Sequence, residues 1–432
     1  MRKNFYTIEE EINQDMGLCY NSFNNQFLLL NKDKYSLFQS GEYDRIKVEH
    51  ENLYQILVDN KFLVPDDYNE KDIALLRRLN LQMNSSCYHV MVNTTLDCNL
   101  NCWYCYENKI KGSKLSEKTI SSIKKNIQVE YENSRFNTLK LSFFGGEPFM
   151  DFESIKNLLE FSDEFCHNAD IELIADFTTN ATLITEEQID YLKKYRCHFQ
   201  ITLDGDRTTH NKIKKDKSGK YKDTYLAVLN VLHTIEEKIP RRWIAVRINF
   251  DNRTLSKIDE IISDIDFLDR NSCYVILKKV WQVETSVVDK DLLVSTMNKF
   301  FEKKFLLDYY IMPKGSVCFA ERQREVLFNF DGKVFKCSTI SSFDDSNSLG
   351  KLNEETGIVE WDEDKMALWF KDLQPQYCKE CKWFPVCLGI CNKQILAHKN
   401  EKICTFDAMN LDMKEYLIYS FKYHLLKQEL SN

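Results

Sequence analysis

Ten of the cysteines in this chain fall in two tight fields, and their spacing constrains the fold more than any other feature. Cys98, Cys102 and Cys105 crowd together near the first quarter, while Cys318, Cys337, Cys378, Cys381, Cys387, Cys391 and Cys404 occupy the last. There are fifteen cysteines in all. The N-terminus, Met1-Arg2-Lys3-Asn4-Phe5, leads into acids rather than an apolar run, so no secretory signal is expected. No stretch approaches the roughly 18 apolar residues of a spanning helix. A cytoplasmic location away from membranes is the expectation, and thiols stay reduced there. Metal or redox chemistry therefore explains the two fields better than disulfides. Cys19, Cys87, Cys166, Cys197 and Cys273 stand alone in apolar or helical surroundings and read as small buried hydrophobes.

A chain of 432 residues holds two or three domains. Its 43% hydrophobic and 29% charged residues are an ordinary globular balance. The net charge of −8 argues against nucleic acid as a partner, because phosphate neutralisation needs clustered Lys and Arg that outweigh local acids. The basic run from Lys212 to Lys222 reads as solvated loop.

Three segments are expected: 1–85, 86–309 and 310–432. In the first, Phe27-Leu28-Leu29-Leu30, the turn Asn31-Lys32-Asp33-Lys34 and Tyr35-Ser36-Leu37-Phe38 read as a strand pair. Leu53, Ile56 and Leu57 then share one face of a short helix that runs into Phe62-Leu63-Val64 and stops at Pro65. This predicts a winged-helix-like module, followed by a charged helical connector over Asp66–Leu79. From Cys87 onward strands and helices alternate, which predicts a parallel α/β arrangement. Candidate strands are Tyr88–Thr95, Thr138–Phe144, Ile171–Thr178, His198–Leu203, Trp243–Phe250 and Cys273–Val283. The intervening helices are Ser116–Tyr131, Phe152–His167, Thr185–Lys194, Thr224–Glu237 and Leu255–Leu268, with a last one near Asp291–Phe305. Six such units describe a partial (β/α)6 TIM-like barrel, whose functional groups gather at the C-terminal ends of the strands. After Tyr310, Glu325–Asn329 and Lys333–Cys337 flank Asp331-Gly332 as a hairpin. The cysteine-rich remainder has little periodicity, so metal is expected to hold its fold.

Cys98-Asn-Leu-Asn-Cys102-Trp-Tyr-Cys105 is a Cx3Cx2C loop. Three thiolates in one loop can reach three corners of one iron–sulfur cubane and leave the fourth iron open to a small molecule. A structural zinc site would show four ligands as two Cx2C pairs.

This motif, with Tyr104 before its last cysteine, resembles the signature of the radical S-adenosylmethionine (SAM) superfamily. The resemblance extends over about 300 residues. Gly145-Gly146-Glu147-Pro148 after the second strand resembles the segment that holds the SAM amino group. Thr179-Asn180 after the third strand, and Thr202-Leu203-Asp204-Gly205 after the fourth, resemble positions that contact its sugar and carboxylate. Arg247 lies on the fifth strand, as in peptide-modifying members. After His210, where relatives often place an arginine for the SAM carboxylate, this chain has Lys212 and Lys214. The cofactor contacts implied are thus Tyr104, Gly145, Gly146, Glu147, Thr179, Asn180, Thr202, Asp204, Lys214 and Arg247. A 5′-deoxyadenosyl radical would be the working species, with the protein supplying orientation and exclusion of solvent.

The seven later cysteines resemble the SPASM extension of enzymes that modify peptides. The resemblance implies two auxiliary [4Fe–4S] clusters, three in total. Cys378, Cys381, Cys387 and Cys404 would hold the outer one, and Cys318, Cys337 and Cys391 the inner, whose last iron is open or closed by a group such as Glu321. A zinc-ribbon reading shares the Cx2C spacing.

An expected module of about 85 residues precedes the α/β region that carries the first cysteine loop, which fits the maturases of ribosomally made peptides better than sulfatase-maturing relatives. The N-terminal module would capture a leader peptide by strand addition. The resemblance thus implies an oxidoreductase that cross-links a precursor peptide through a thioether or carbon–carbon bond, fed by a donor such as flavodoxin or ferredoxin. Two alternatives stand beside it: oxidation of a Cys or Ser to formylglycine, and a non-catalytic iron–sulfur protein that binds peptide or carries electrons. Glu321, Asp204 and Glu325 are the candidate proton acceptors.

Overall fold

A computed structural model describes residues 1–280, 287–309, 316–371, 373–398 and 401–431. The chain divides into two compact units, one of residues 1–83, 310–321 and 369–425, the other of 84–309, 322–368 and 426–432. Compactness thus groups the chain differently from three consecutive segments. The cysteine-rich tail falls with the N-terminal residues, and the expected hairpin falls with the α/β region.

The first unit begins with strands β1 Arg2–Lys3, β2 Thr7–Glu11, β3 Met16–Asn21 and β4 Gln26–Asn31. Helices α1 Lys32–Ser40, α2 Tyr43–Glu49 and α3 Glu51–Asp59 follow, then β5 Leu63–Val64 and α4 Glu70–Met83. Strands β2, β3 and β4 form an antiparallel meander, and β1 pairs with β5. The expected second strand at Tyr35–Phe38 is instead helical. Asn31 ends β4 and caps α1, its side chain accepting the Lys34 amide. A short polar side chain that bonds forward along the backbone serves a turn and a helix start equally well, which is why the sequence read as a turn. Tyr35, Leu37 and Phe38 then pack with Cys19, Leu30 and Ile46. Leu53 and Leu57 join that core from α3, whereas Ile56 is 44% exposed.

The second unit is built on one sheet. Its strands are β6 Cys87–Thr95, β7 Thr138–Gly145, β8 Glu172–Thr179, β9 Arg196–Leu203, β10 Arg242–Phe250, β11 Cys273–Lys279 and β12 Leu307–Asp308. Four more follow: β13 Glu325–Phe328, β14 Lys333–Phe335, β15 Gly350–Leu352 and β16 Val359–Trp361. The order is β12-β11-β10-β9-β8-β7-β6-β13-β14-β15-β16, parallel from β12 to β13 and antiparallel beyond. The six expected parallel strands are present within two residues at each described end. The last residues of the expected Cys273–Val283 strand lie outside the described residues.

Two features go beyond the expected six units. Strand β13, read as half of a separate hairpin, also pairs in parallel with β6, Leu327 beside Met91. The expected helix Leu255–Leu268 is two pieces, α-helical at Asn252–Ser256 and Ile258–Asp264, with Lys257 between them at φ −112° and ψ 15°.

The two faces of the sheet differ. On β9, Cys197, Phe199, Ile201 and Leu203 are wholly buried, while His198, Gln200 and Thr202 on the other face stay partly exposed. The lone cysteines Cys19, Cys166, Cys197 and Cys273 are buried and Cys87 half-buried. Burial pushes the Cys197 thiol up to about 12, as expected of an inert core residue. No helix among the described residues is long and apolar enough to cross a membrane.

Candidate functional site

The cysteine loop leaves β6 at a register shift between Asn93 and Thr95. Its neck is tied by side chain to backbone. Thr95 Oγ1 accepts the Asp97 amide at 2.9 Å, and Asp97 accepts the amides of Cys98 at 2.8 Å and Gly112 at 2.9 Å. Burial works against the Asp97 charge, but these amides and Lys217 hold its carboxyl below the usual range. The anchored neck fixes where the loop's thiols stand.

Gly145 and Gly146 fit against that neck. The Gly146 amide donates to Thr95 O and the Glu147 amide to Asp97 O, both at 2.9 Å. A Cβ on Gly145 would stand 2.1 Å from Thr95 O, and one on Gly146 1.9 Å from Asp97 O. Gly145 also sits at φ +108°, a conformation side chains disfavour. The glycine pair is therefore required by the close approach of two backbones.

Glu147 lies behind this wall, fully buried. It accepts Thr179 Oγ1 at 2.7 Å, the Asn180 amide at 2.8 Å and the Phe149 amide at 3.1 Å. Burial raises its pKa, with these three donors pulling the other way. Asn180 Nδ2 in turn donates to Asn99 Oδ1 at 3.0 Å and approaches Cys98 Sγ at 3.7 Å, tying the end of β8 to the cysteine loop.

A second knot joins β9 and β10. Asp204 accepts Tyr104 Oη, accepts Asn249 Nδ2 at 2.9 Å and pairs with Lys214 Nζ at 3.4 Å. Asp204 and Lys214 are both buried, and burial opposes the Lys214 charge while Asp204 restores it, leaving its pKa well above the usual value. His210 Nδ1 accepts the Asp204 amide at 3.1 Å, and burial drives that ring's pKa down to about 3, so it is neutral.

These elements line an open-mouthed cleft at the C-terminal ends of the strands. Cys98, Cys102 and Cys105 line it with Tyr104, Gly145, Gly146, Thr179, Asn180, Thr202, Lys214 and Arg247. Of the expected cofactor contacts, Glu147 and Asp204 stand behind the walls and brace them. Thr178, Gln200, Asn249 and Lys279 also line the cleft. Thr178, Gln200 and Lys279 are not flagged by any motif, although the alternation of Thr178 and Gln200 with buried neighbours places them on the inner face of their strands.

The three loop thiols are free of disulfides. Burial raises Cys98 to about 11 and Cys102 above its ordinary value, so metal binding there would displace protons. Among the described residues no three ligating side chains converge on one point as a single ion requires. A cubane takes each thiolate at a different iron, and a thiol-only loop with open space before it suits such a group.

The other predicted residues lie as follows. Cys337 and Glu325 belong to the second unit. Cys318, Cys378, Cys381, Cys387, Cys391 and Cys404 belong to the first, as does Glu321, which pairs with Arg78 at 2.8 Å in a buried ion pair. Burial raises the Cys378 thiol to about 11 and the Cys387 thiol to about 12, and the nearby Cys381 and Cys404 add to both. Asp204 has its oxygens engaged by three partners, an arrangement that suits a counter-ion better than a proton acceptor.

Residues 92–265 match the model of the Radical SAM superfamily. A cysteine-type anaerobic sulfatase-maturating enzyme of Clostridium perfringens is 23% identical over 358 residues, covering 75% of this chain and 93% of that one. The structure of native anSMEcpe with bound AdoMet and Cp18Cys peptide superposes with a TM-score of 0.57 at 18% identity, over 80% of this chain and 99% of its own. Streptococcus suis SuiB bound to precursor peptide SuiA gives 0.50 at 13% identity, over 95% and 99%. The α/β fold with its large, mostly parallel sheet is shared with both.

Proposed function

From the radical SAM domain that residues 92–265 form, we propose that this protein matures a ribosomally made precursor peptide by cross-linking it. SAM and a [4Fe–4S] cluster are the cofactors of such a domain. One observation carries the reading: three free thiols of a single anchored loop face a cleft at the strand ends, opposite a glycine cradle and a buried lysine.

In this reading Cys98, Cys102 and Cys105 hold the cluster. Gly145 and Gly146 offer backbone close to the loop, Thr179, Asn180 and Thr202 offer polar contacts, and Lys214 offers a positive charge to the SAM carboxylate. Bound there, cluster and SAM together supply a radical able to take a hydrogen atom from an unactivated carbon. Glu147 and Asp204 keep the walls rigid, so the cleft geometry is set before the cofactor arrives.

Cys378, Cys381, Cys387 and Cys404 suit an outer auxiliary cluster, and Cys318, Cys337 and Cys391 an inner one, giving three in all. Such clusters would take the electron released as each new bond forms, and an external donor of flavodoxin or ferredoxin type would reduce the first. The peptide as substrate draws support from relatives whose structures hold one. For the leader we propose the meander of the N-terminal residues. Among the described strands β4 pairs only with β3, which leaves it an edge for an added strand.

The reading predicts that anaerobically reconstituted protein, given SAM, reductant and the peptide encoded beside its gene, yields a product lighter by two hydrogens. Mass spectrometry checks it. An unchanged peptide mass with steady SAM cleavage contradicts cross-linking. A product that has lost its cysteine sulfur favours formylglycine formation, the reading that similarity to the Clostridium perfringens enzyme supports.

A further inference from the structure

The inner face of the parallel sheet carries groups that the radical site does not use. Parallel barrels usually fill their interior with branched apolar side chains. Here Ser142, Asp176 and His198, one row below the cleft, are polar or ionisable, as are His89 and Glu325 one row further down, and neighbours approach one another in sequence. Ser142 Oγ on β7 donates to Asp176 Oδ2 on β8 at 2.6 Å, and the same hydroxyl lies 2.6 Å from His89 Nε2 on β6. His89 Nδ1 lies 3.4 Å from Glu325 Oε2 on β13, and His198 Nδ1 on β9 lies 4.0 Å from Asp176 Oδ1.

Register produces this row. Asp176 stands beside both Ser142 and His198, and His89 beside Glu325 and Lys140, with Ser142 reaching His89 diagonally from one row nearer the cleft, so the groups cross five neighbouring strands. The cleft-lining Thr178 and Gln200 follow Asp176 and His198 by two residues, hence on the same face about 7 Å nearer the strand ends. The two halves differ in access. Ser142, His89 and Glu325 are buried, while the Asp176 and His198 side chains each remain 24% exposed.

Because the serine hydroxyl donates to Asp176, its oxygen is left to accept from His89. Each member of the row can both take a proton and pass one on. His198 meets the charges of Asp176 and Glu172 on β8, Lys140 on β7 and Arg196 on its own strand, while its β10 neighbour Trp243 has none. Burial lowers the pKa of this ring, so it is neutral near pH 7 and ready to accept.

We propose that His198, Asp176, Ser142 and His89 form a proton-accepting row beneath the cleft, which takes up the proton released as the peptide is oxidised. The inference rests on the cross-linking reading. Cross-linking removes two hydrogens from the peptide. One leaves as an atom to the 5′-deoxyadenosyl radical; the other leaves as a proton to the row, with its electron passing to an oxidised iron–sulfur cluster as the new bond closes.

The test uses the holoenzyme with its precursor peptide and the variants Asp176→Asn, His198→Gln and Ser142→Ala. In the wild type, about one 5′-deoxyadenosine accompanies each lighter peptide. In the first two variants deoxyadenosine should form within about twofold of wild type while the lighter peptide falls, raising the ratio about tenfold or more. Ser142→Ala only deletes a hydroxyl, and it should raise the ratio even if a charge-changing variant fails to fold. Equal loss of both products, or a ratio near one in every variant that folds, overturns the row. A wild-type enzyme that makes no lighter peptide sinks the cross-linking reading and the row with it, whereas wild-type product with an unchanged ratio sinks the row alone.

Discussion

Replacing Cys98, Cys102 and Cys105 by alanine should abolish 5′-deoxyadenosine formation while the protein keeps the absorbance of its remaining clusters. The three thiols lie on one anchored loop and face one cleft, so the substitution removes a whole ligand set at once. On the proposed count of three cubanes, iron should fall by about one third. Anaerobic turnover assayed by chromatography, with iron and sulfide counted on the same sample, checks both. Persistent turnover would mean that radical formation occurs elsewhere. Loss of all the iron would mean that the later cysteines hold no cluster of their own. The same experiment separates an enzyme from an electron carrier, because a carrier makes no deoxyadenosine to lose.

Lys214→Met should destabilise the α/β unit by about 3–5 kcal/mol, because it leaves the Asp204 carboxylate buried without its counter-ion. Tyr104 and Asn249 still donate to that carboxylate, which places the expected loss toward the lower end. The thermal midpoint should drop by roughly 10 °C. Removing both charges in Asp204→Asn with Lys214→Met should recover much of that loss, since no lone charge then remains buried. SAM affinity should not recover in the double variant, because the cleft still lacks the Lys214 ammonium proposed to meet the SAM carboxylate. A single variant as stable as the wild type would show that the pair carries little of the fold. Recovery of SAM affinity in the double variant would place the carboxylate contact on another residue.

The parts of the molecule that were legible in the sequence are those written in local patterns. Strands β6 to β11 alternate with amphipathic helices, and the ends of β7, β8 and β9 carry Gly145-Gly146, Asn180 and Asp204-Gly205, turn residues that sequence alone can flag. The glycine pair at 145–146 was visible as a motif, but its cause was not: only the structure shows the backbones of Thr95 and Asp97 within contact of both. Asn31 misled because one side-chain chemistry serves both turn and helix cap. Strand β13 was found, yet its parallel pairing with β6 joins residues more than 200 positions apart, which no local pattern records.

Glu147 and Asp204 show the same limit at the site. Their motifs mark both as cofactor contacts, and what the motifs do not record is that both are buried and hydrogen-bonded to the next strand. Lys214 was singled out only as a cation near His210, and its ion pair with Asp204 is a tertiary fact. The polar row from His198 to His89 was invisible for a related reason. Its members sit singly on separate strands, each amid apolar neighbours, and only strand register brings them together.

The account depends most on an iron corner that no protein thiolate occupies. Electron–nuclear double resonance of the reduced, oxygen-free protein, with SAM labelled by 15N at its amino group, tests this directly. A 15N coupling to the cluster, lost in the alanine variant of Cys98, Cys102 and Cys105, is the predicted result. Bound SAM without any such coupling, or zinc in place of iron at that loop, would contradict it.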